Sequence, residues 1–415
     1  MNRSMKKIVI VGGGPAGMMA SIRASQLTSN VILIEKNDVL GKKLLLTGNG
    51  RCNFTNSNNL EFFLKGYEKN GKFLKDAFKL LFNKDLINFF ESRGLKTIIE
   101  NDKRVFPHTN NAKSVCKILE NELIKNNVKI LLNKQLKDII VENNKVKSIV
   151  LYDYSKINVD FLILATGGIS YSFTGSNGEG IKIVEKLGHD IVPLRPGLVP
   201  LIIDKKNRGL LEGLSLKDVC INFDTKDKKI KTSIGDLLFT KNGISGPIIL
   251  SISGQIIDLM NNKIKISISI DMLPYQNKIE VERDISNIIQ NNPKKSISNV
   301  LKIKFPDRLI DYSMNVLDID PFLKANQLKA RQRKKIVAFL KSMKLDISGF
   351  ESYEKAMITR GGISLKEINP RFMSSKKIKG LFFAGEMIDI NGDSGGYNLQ
   401  AAFSTGFLAG NNAGR

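Results

Sequence analysis

Cysteine and histidine are scarce in this chain, three and two among 415 residues. Cys52, Cys116 and Cys220 are odd in number and far apart, and they form no C-x-x-C pair. That excludes a disulfide framework and a zinc signature. His108 and His189 cannot make a His-rich metal site, so no metal is expected, and a Ser-His-Asp triad has no supporting motif. No apolar run reaches about 18 residues, so no membrane-spanning segment is expected. The opening MNRSMKKIVIVGGG is basic and then apolar, but the apolar run is too short for a secretory signal. It breaks into glycines rather than a cleavage site and reads as the buried first strand of a cytoplasmic protein. Internal repeats and low-complexity segments are also lacking. With so few thiols and imidazoles, the chemistry must come mostly from a bound cofactor or from other residue types.

Acids are under-represented too: 40 Asp and Glu face 64 Lys and Arg, a net charge of +24. Two readings stay open. A Lys- and Asn-rich proteome explains the excess without function. A polyanionic partner, RNA above all, explains why the acids lag behind the lysines.

What is present is an ordinary globular composition, 42% hydrophobic and 25% charged, over a length that suggests two or three domains. Residues 6–11 read as a β-branched strand ending in glycines, 15–27 as a helix, and 31–34 as a second strand ending at Glu35: one βαβ unit. Helical spacing recurs over 73–93 and 112–125. Short strands are expected over 128–132, 138–141 and 146–152. FLILATGG (161–168) is an apolar strand suited to a buried parallel sheet. From about residue 197 spaced strands follow. In KIKISISID (263–271), Ile264, Ile266, Ile268 and Ile270 share one face. Residues 277–345 read as mostly helical and lysine-rich. After 356 the first style returns with KGLFFAGEMID and a small-residue helix. The fold class expected is α/β, a nucleotide-binding domain interrupted by a module that is part β and part helical. The boundaries expected are 1–196 and 351–415 for the two parts of the nucleotide-binding domain, 197–275 for the β-rich insert and 276–350 for the basic helical insert.

VGGGPAG carries G-x-G-x-x-G at Gly12, Gly14 and Gly17, between a strand and a helix, with Glu35 placed 18 residues beyond Gly17. In that context the motif is a dinucleotide fingerprint. Gly12 serves the turn, Gly14 the approach of a pyrophosphate and Gly17 the helix–strand packing, with Pro15 and Ala16 opening the helix. Glu35 is expected on an adenosine ribose, beside Lys36. Only one such fingerprint exists. LATGG, with Thr166 and Gly167, resembles the middle FAD-contacting strand of the wider FAD superfamily, and GLFFAGE, with Gly385 and Glu386, resembles the strand of that superfamily whose terminal acid reaches the ribitol or phosphate region of the flavin. Three separated segments on one extended cofactor fit FAD better than NAD. In GDSGGYNLQ the amides of Gly396 and Tyr397, at a helix start, could face the pyrimidine side of a flavin, with Asn398 following. Close packing of a small-residue helix is the other reading.

GKKLLLTGNGRCNFTN, RVFPHTNNA, LATGGISYSFTGSNGEG, LLFTKNGISGPIIL and AGEMIDINGDSGGYNLQAAFSTGFLAG, in this order and across nearly the whole chain, resemble the BaiN/YhiN-type (RdsA-like) NAD(P)/FAD-dependent oxidoreductases. One departure is Asn49, where the family has a third glycine. The resemblance implies a Rossmann-like FAD-binding domain interrupted by a β-barrel-like domain and a small helical domain. Members resemble bile-acid enone reductases, aminoacetone oxidase and an rRNA dihydrouridine synthase, so fold and cofactor are better determined than substrate.

Reduction of a uridine 5,6 double bond and of an enone share one logic: hydride to the electron-poor carbon, a proton to its neighbour. Cys52 and Tyr397 are the candidate proton donors; Cys52 can equally be a small packed residue. Arg51, Asn53 and Thr55 could bind the flavin or its phosphates; Lys42 and Lys43 either do the same or form a solvated face. Arg104 and His108 lie on a Pro-containing loop, where His108 is either a substrate contact or simply exposed. Lys324, Lys329, Arg331, Arg333, Lys334, Lys335, Lys341 and Lys344 form a basic run that is either a phosphate contact or a solvated face. An RNA substrate would have to present an unpaired base. Three functions are expected in order. They are an FAD-dependent reductase making dihydrouridine in large-subunit ribosomal RNA, a reductase or oxidase of a small metabolite, and an FAD-stabilised RNA-binding factor without turnover. NADH or NADPH is expected as a transient reductant. Oligomeric state is not legible.

Overall fold

The computed structural model describes residues 6–225 and 229–415. Contacts divide the chain into two compact units. One comprises the residues up to Gly197 together with Tyr353–Arg415, the other Leu198–Ser352.

In the first unit the strand Ile8–Val11 sits at the middle of a sheet, with all four residues buried. A β-branched run with no polar position can be satisfied only by layers on both faces. Val31–Ile34 and Phe161–Leu164 flank it in parallel. Lys129–Leu131 and Leu381–Phe383 extend the parallel core on either side. Two short antiparallel strands, Ile368–Asn369 and Ser374–Ser375, finish the edge next to Leu381–Phe383. The apolar runs read as strands over 6–11, 31–34 and 161–168 all lie in this sheet. The helix expected over 112–125 is Ala112–Lys125, started by Asn111, whose side chain accepts the Lys113 amide. The 73–93 stretch makes two helices, Lys75–Leu80 and Asn83–Glu91.

The first helix, Pro15–Ser25, packs on the final helix, Tyr397–Gly414. The contact is backbone on backbone. A Cβ on Gly406 would stand 2.1 Å from the Ala16 carbonyl oxygen, and one on Gly410 would stand 2.2 Å from that of Ala20. Glycines four apart on one helix therefore meet alanines four apart on the other. The strand that leaves for the second unit, Ile191–Gly197, pairs antiparallel with the one that returns, Ile358–Ile363.

The second unit is a closed antiparallel barrel. In order around it run Ser215–Asp224, Gly235–Phe239, Gly243–Ser245, Leu201–Ile203, Met343–Phe350 and Ile266–Asp271, which pairs back onto Ser215–Asp224. Lys229–Lys231 adds to the outside of Ser215–Asp224. Ile266, Ile268 and Ile270 are buried while the residues between them are partly exposed, as their alternation requires. The helices Lys278–Asn291, Ile297–Lys302, Asp307–Leu317 and Ala330–Lys341 share one apolar core with the barrel. Met343 and Leu345 lie in the barrel strand that follows the last of them, where helix was expected to continue to 345. Among the described residues no helix is long and apolar enough to cross a membrane.

The tight helix crossing makes a prediction. Gly410→Ala forces a methyl into a carbonyl, an overpacking that costs about 1–3 kcal/mol. Urea unfolding should show that loss, with an unchanged m-value, while Gly94→Ala, whose Cβ meets nothing within 4 Å, should cost less than Gly410→Ala. The Gly94 change carries only the strain of its positive φ.

Candidate active site

The turn after the first strand is shaped by what glycine omits. Gly12 adopts φ +111°, and a Cβ there would stand 2.3 Å from the Ala165 carbonyl oxygen. A Cβ on Gly17 would lie 1.8 Å from the Gly12 carbonyl oxygen. Gly14 differs, because nothing stands within 4 Å of where its Cβ would be. That open space lies at the N-terminus of the first helix, where Gly14 is the cap, Pro15 the first residue, and no side chain caps the end and no acid occupies the first turn. The free amides and the positive end of the helix dipole are left for an anion. Ala16 is buried against this turn.

Glu35, at the end of the second strand, is 8% exposed. One of its oxygens takes the Gly13 amide at 2.6 Å; the other takes the Asn37 amide at 2.8 Å and the Asn37 side chain at 2.7 Å. The carboxylate therefore braces the glycine turn. Two acceptor oxygens with several lone pairs leave it capacity for ribose hydroxyls as well. Lys36 turns to Glu179, at 3.7 Å.

Lys43 and Glu386, expected separately at the cofactor, meet each other. Lys43 Nζ lies 2.7 Å from Glu386 Oε2 and donates to Ser170 Oγ at 2.6 Å. Glu386 Oε1 accepts the Thr359 amide at 2.7 Å and the Ser170 hydroxyl at 3.0 Å. Four distant segments are tied in this polar knot, each of the two charged side chains about one-fifth exposed. Gly167 and Gly385 both take φ +74° beside it, and the Gly385 amide donates to Thr405 Oγ1 at 3.0 Å. Thr166 Oγ1 is buried and has no partner among the described residues.

The loop 47–56 strings Gly48, Asn49, Gly50 and Cys52 through positive φ, from 56° to 82°. Asn49, where the resembled family has glycine, sits at φ +56°, which asparagine tolerates better than other side chains. Arg51 is held by Glu100 and by Asn110 Oδ1, at 2.7 Å, and stacks 4.2 Å from the Phe106 ring centroid. Asn53 Nδ2 donates to the carbonyls of Thr55 and Val105 at 2.8 and 2.9 Å. Both side chains pin the loop to the strand Arg104–Pro107. Cys52 is fully enclosed, and burial pushes its thiol up to about 12.

At the far end, Gly396 takes φ +100° and a Cβ there would lie 2.3 Å from the Thr55 carbonyl oxygen, so the final helix begins pressed onto that loop. It too has a glycine cap and no acid in its first turn. Tyr397 is 5% exposed, with its ring 4.4 Å from that of Phe63. Asn58 Nδ2 donates to its hydroxyl at 3.2 Å, and burial raises its pKa above the usual value. Asn398 closes the turn before the helix: its Oδ1 accepts the Gly392 amide at 2.8 Å and its Nδ2 donates to the Gly392 carbonyl at 2.7 Å. Arg104 donates to the Asn101 carbonyl at 3.1 Å, and its Cγ lies close to Gly395. His108 is exposed. In the other unit Arg331, Lys334 and Lys335 are exposed, while Arg333 pairs with Glu282 at 3.3 Å.

Asp393, in the same turn as the diglycine, drew no attention as a sequence feature. Its side chain keeps solvent access, yet partial desolvation and then the charge of Glu68 push its carboxyl up to about 6. Ser170 and Thr359 were missed likewise. Ser170 is marked by its bonds to Lys43 and Glu386, and Thr359 by its amide on Glu386 and by its hydroxyl, which accepts the Ile169 and Ser170 amides; nothing in a serine or threonine at those positions announces it.

For FAD the fit rests on the open space over Gly14, the uncapped helix end beneath it, and the Glu35 carboxylate held at its rim. These provide room for a diphosphate, amides for its oxygens and acceptors for a ribose.

A model of the family described as HI0933-like protein Rossmann domain matches residues 6–412. The chain is 30% identical over 404 residues to the ribosomal RNA dihydrouridine synthase of Haemophilus influenzae, covering 96% of each. It is 29% identical over 411 residues to the 3-dehydro-bile acid delta(4,6)-reductase of Clostridium scindens, covering 98% of each. Among solved structures it resembles the open conformation of a flavocytochrome c3 fumarate reductase, with a TM-score of 0.52, 17% identity, and 100% of this chain and 79% of that one covered. It resembles equally the 3-ketosteroid-delta4-(5alpha)-dehydrogenase of Rhodococcus jostii RHA1, with a TM-score of 0.52, 14% identity, and 99% and 97% covered. These two share the fold. The single glycine fingerprint, the inserted barrel and the whole-length match agree: the chain belongs to the HI0933-like Rossmann family of BaiN/YhiN type, the FAD-dependent oxidoreductases.

Proposed function

We propose that this oxidoreductase reduces an activated C=C bond, and that the bond is the 5,6 double bond of a uridine in large-subunit ribosomal RNA. The observation that carries the reading is the likeness at 30% identity over 96% of the chain to a protein named for making dihydrouridine in ribosomal RNA. The net charge of +24 supports it, because a polyphosphate partner rewards unpaired cations. The small-metabolite reading is favoured by the 29% likeness to a bile-acid reductase and predicts turnover that salt leaves unchanged. A flavin without turnover remains the third reading, with rapid bleaching by NADH or NADPH and recovery on adding acceptor as the result against it. A mapped loss of one dihydrouridine from the ribosomal RNA of a strain lacking the gene is the expected outcome; an unchanged map removes the ribosomal reading.

FAD, when bound and once reduced by NADH or NADPH, would supply hydride to the electron-poor carbon. The chain's part is to hold it and to deliver a proton. The amides at Gly14–Gly17, with Glu35, would hold the adenosine diphosphate portion. The Lys43–Glu386 knot fixes the middle strand ends, and the amides at the start of the final helix would stabilise negative charge on a bound flavin. NADH or NADPH would dock transiently, since only one nucleotide fingerprint exists.

For the proton, the enclosure of Cys52 favours the packing role over the donor role. Cys52→Ala should keep flavin reduction and substrate reduction within a few-fold of the parent, with a loss of stability of about 1–2 kcal/mol from the small cavity. Collapse of substrate reduction alone would restore the thiol as donor.

Asp393, in the turn that leads into the final helix and open to solvent, is the acid we set beside Tyr397. A carboxyl that titrates near 6 is protonated below that pH and charged above it, so the rate of substrate reduction should fall as pH rises through about 6. Asp393→Asn, which keeps the shape but has no acidic proton to give, should abolish substrate reduction while leaving flavin reduction by NAD(P)H in place. A Tyr397 donor would instead hold the rate level to beyond pH 10, the ordinary tyrosine value from which its own is raised, and Tyr397→Phe would then be the inactivating change.

A further inference from the structure

In the helical part of the second unit, Lys and Arg outnumber acids 15 to 7 over residues 278–344, and from 321 to 344 there are eight basic residues and no acid. The ion pairs divide these cations into two groups. Lys302, Lys304, Arg333 and Lys341 are paired with Asp311, Asp284, Glu282 and Asp271. Lys324, Lys329, Arg331 and Lys334 are exposed, and among the described residues no carboxylate lies within ion-pair distance of them.

Backbone bonds add two further lysines beside Lys324. The Ile297 amide donates to the Leu323 carbonyl at 2.8 Å and the Ala325 amide to the Lys295 carbonyl at 2.9 Å. Exposed Lys294 and Lys295 are thereby laid beside Lys324. Lys335 Nζ, 3.5 Å from the Leu317 carbonyl, links the helix Ala330–Lys341 to the end of the helix Asp307–Leu317, from which the loop leaves.

On that loop Leu323, Ala325 and Leu328 pack inward. Phe322 does not. It is 83% exposed, more than any other large apolar side chain among the described residues. The one acid beside it, Asp320, accepts the Phe322 amide at 3.0 Å, which fixes the loop. A lone exposed apolar residue is ordinary. An aromatic ring held outward on an anchored loop, inside a field of unpaired cations, has the two parts of a single-stranded nucleic-acid site: a stacking face and phosphate contacts.

We infer that the loop carrying Phe322, with the flanking unpaired lysines and arginine, is a docking surface for unpaired RNA, the ring stacking on one base and the cations tracking the backbone. The inference rests on the ribosomal RNA reading and gives it a place on the molecule.

The test uses the full-length, flavin-loaded protein and two probes, a large-subunit rRNA transcript and a single-stranded oligouridylate of about 16 nucleotides. Phe322→Ala should weaken oligouridylate binding about 5- to 150-fold, with Phe322→Tyr restoring it. The combined variant K324Q/K329Q/R331Q/K334Q should lower the slope of log K against log salt by about 3. Both variants should keep the parent's rate of flavin reduction by NAD(P)H and its circular dichroism, since every position changed is exposed. Salt-dependent binding by the parent that the variants leave unchanged overturns this surface and leaves the ribosomal reading standing. A parent that binds neither probe, or is retained only by phosphatidylserine vesicles, removes both.

Discussion

The nucleotide-binding unit depends on backbones approaching closer than any side chain allows. Gly17 lies against the carbonyl of Gly12, Gly12 against that of Ala165, and Gly406 and Gly410 against those of Ala16 and Ala20. These contacts pull the first helix onto the sheet and the final helix onto the first. The turn over Gly14 therefore has one position, and both uncapped helix ends are fixed as amide donors. Alanine helices at ordinary interaxial distances of about 8–10 Å would fold, but the cradle would open.

Around that constraint the polar residues divide their work. Glu35, Asn53, Arg51 and Asn398 brace loops; Lys43 and Glu386 satisfy each other across 343 positions of sequence. A site built this way is preorganised before any ligand arrives, which is what electrostatic stabilisation of a developing charge requires. The partly buried charges of Lys43 and Glu386 are tolerated because they pair, and the buried Glu35 because N–H groups of Gly13 and Asn37 satisfy it.

The parallel sheet and its fingerprint were legible because their sequence signals are local and steric: a β-branched run, then glycines at fixed offsets. Ala112–Lys125 was legible from its apolar period. What escaped the sequence is pairwise and distant. Lys43 and Glu386 could be named but not joined. Arg51 and Asn53 could be named as candidates for the flavin or its phosphates, but not their hold on the loop, because Glu100, Asn110 and the Val105 carbonyl are contributed by another segment. The strand Met343–Phe350 was hidden behind a basic helix whose lysines continue into it, although its alternation of buried and exposed residues has the period of a strand. Cys52 shows the limit most plainly, since a thiol on a glycine-rich loop reads the same whether the loop covers it or presents it.

The pairing of Ile191–Gly197 with Ile358–Ile363 has a consequence for synthesis on the ribosome. The sheet of the first unit needs Leu381–Phe383, and its first helix needs the final one. The barrel unit, by contrast, is contiguous in sequence. As the chain emerges, the barrel can close while the N-terminal half still waits for its last strand and helix. Long-range pairing of this kind is slow because loop closure precedes the contacts that reward it. A barrel already folded brings residues 197 and 358 near one another and shortens the loop that the late strand has to close.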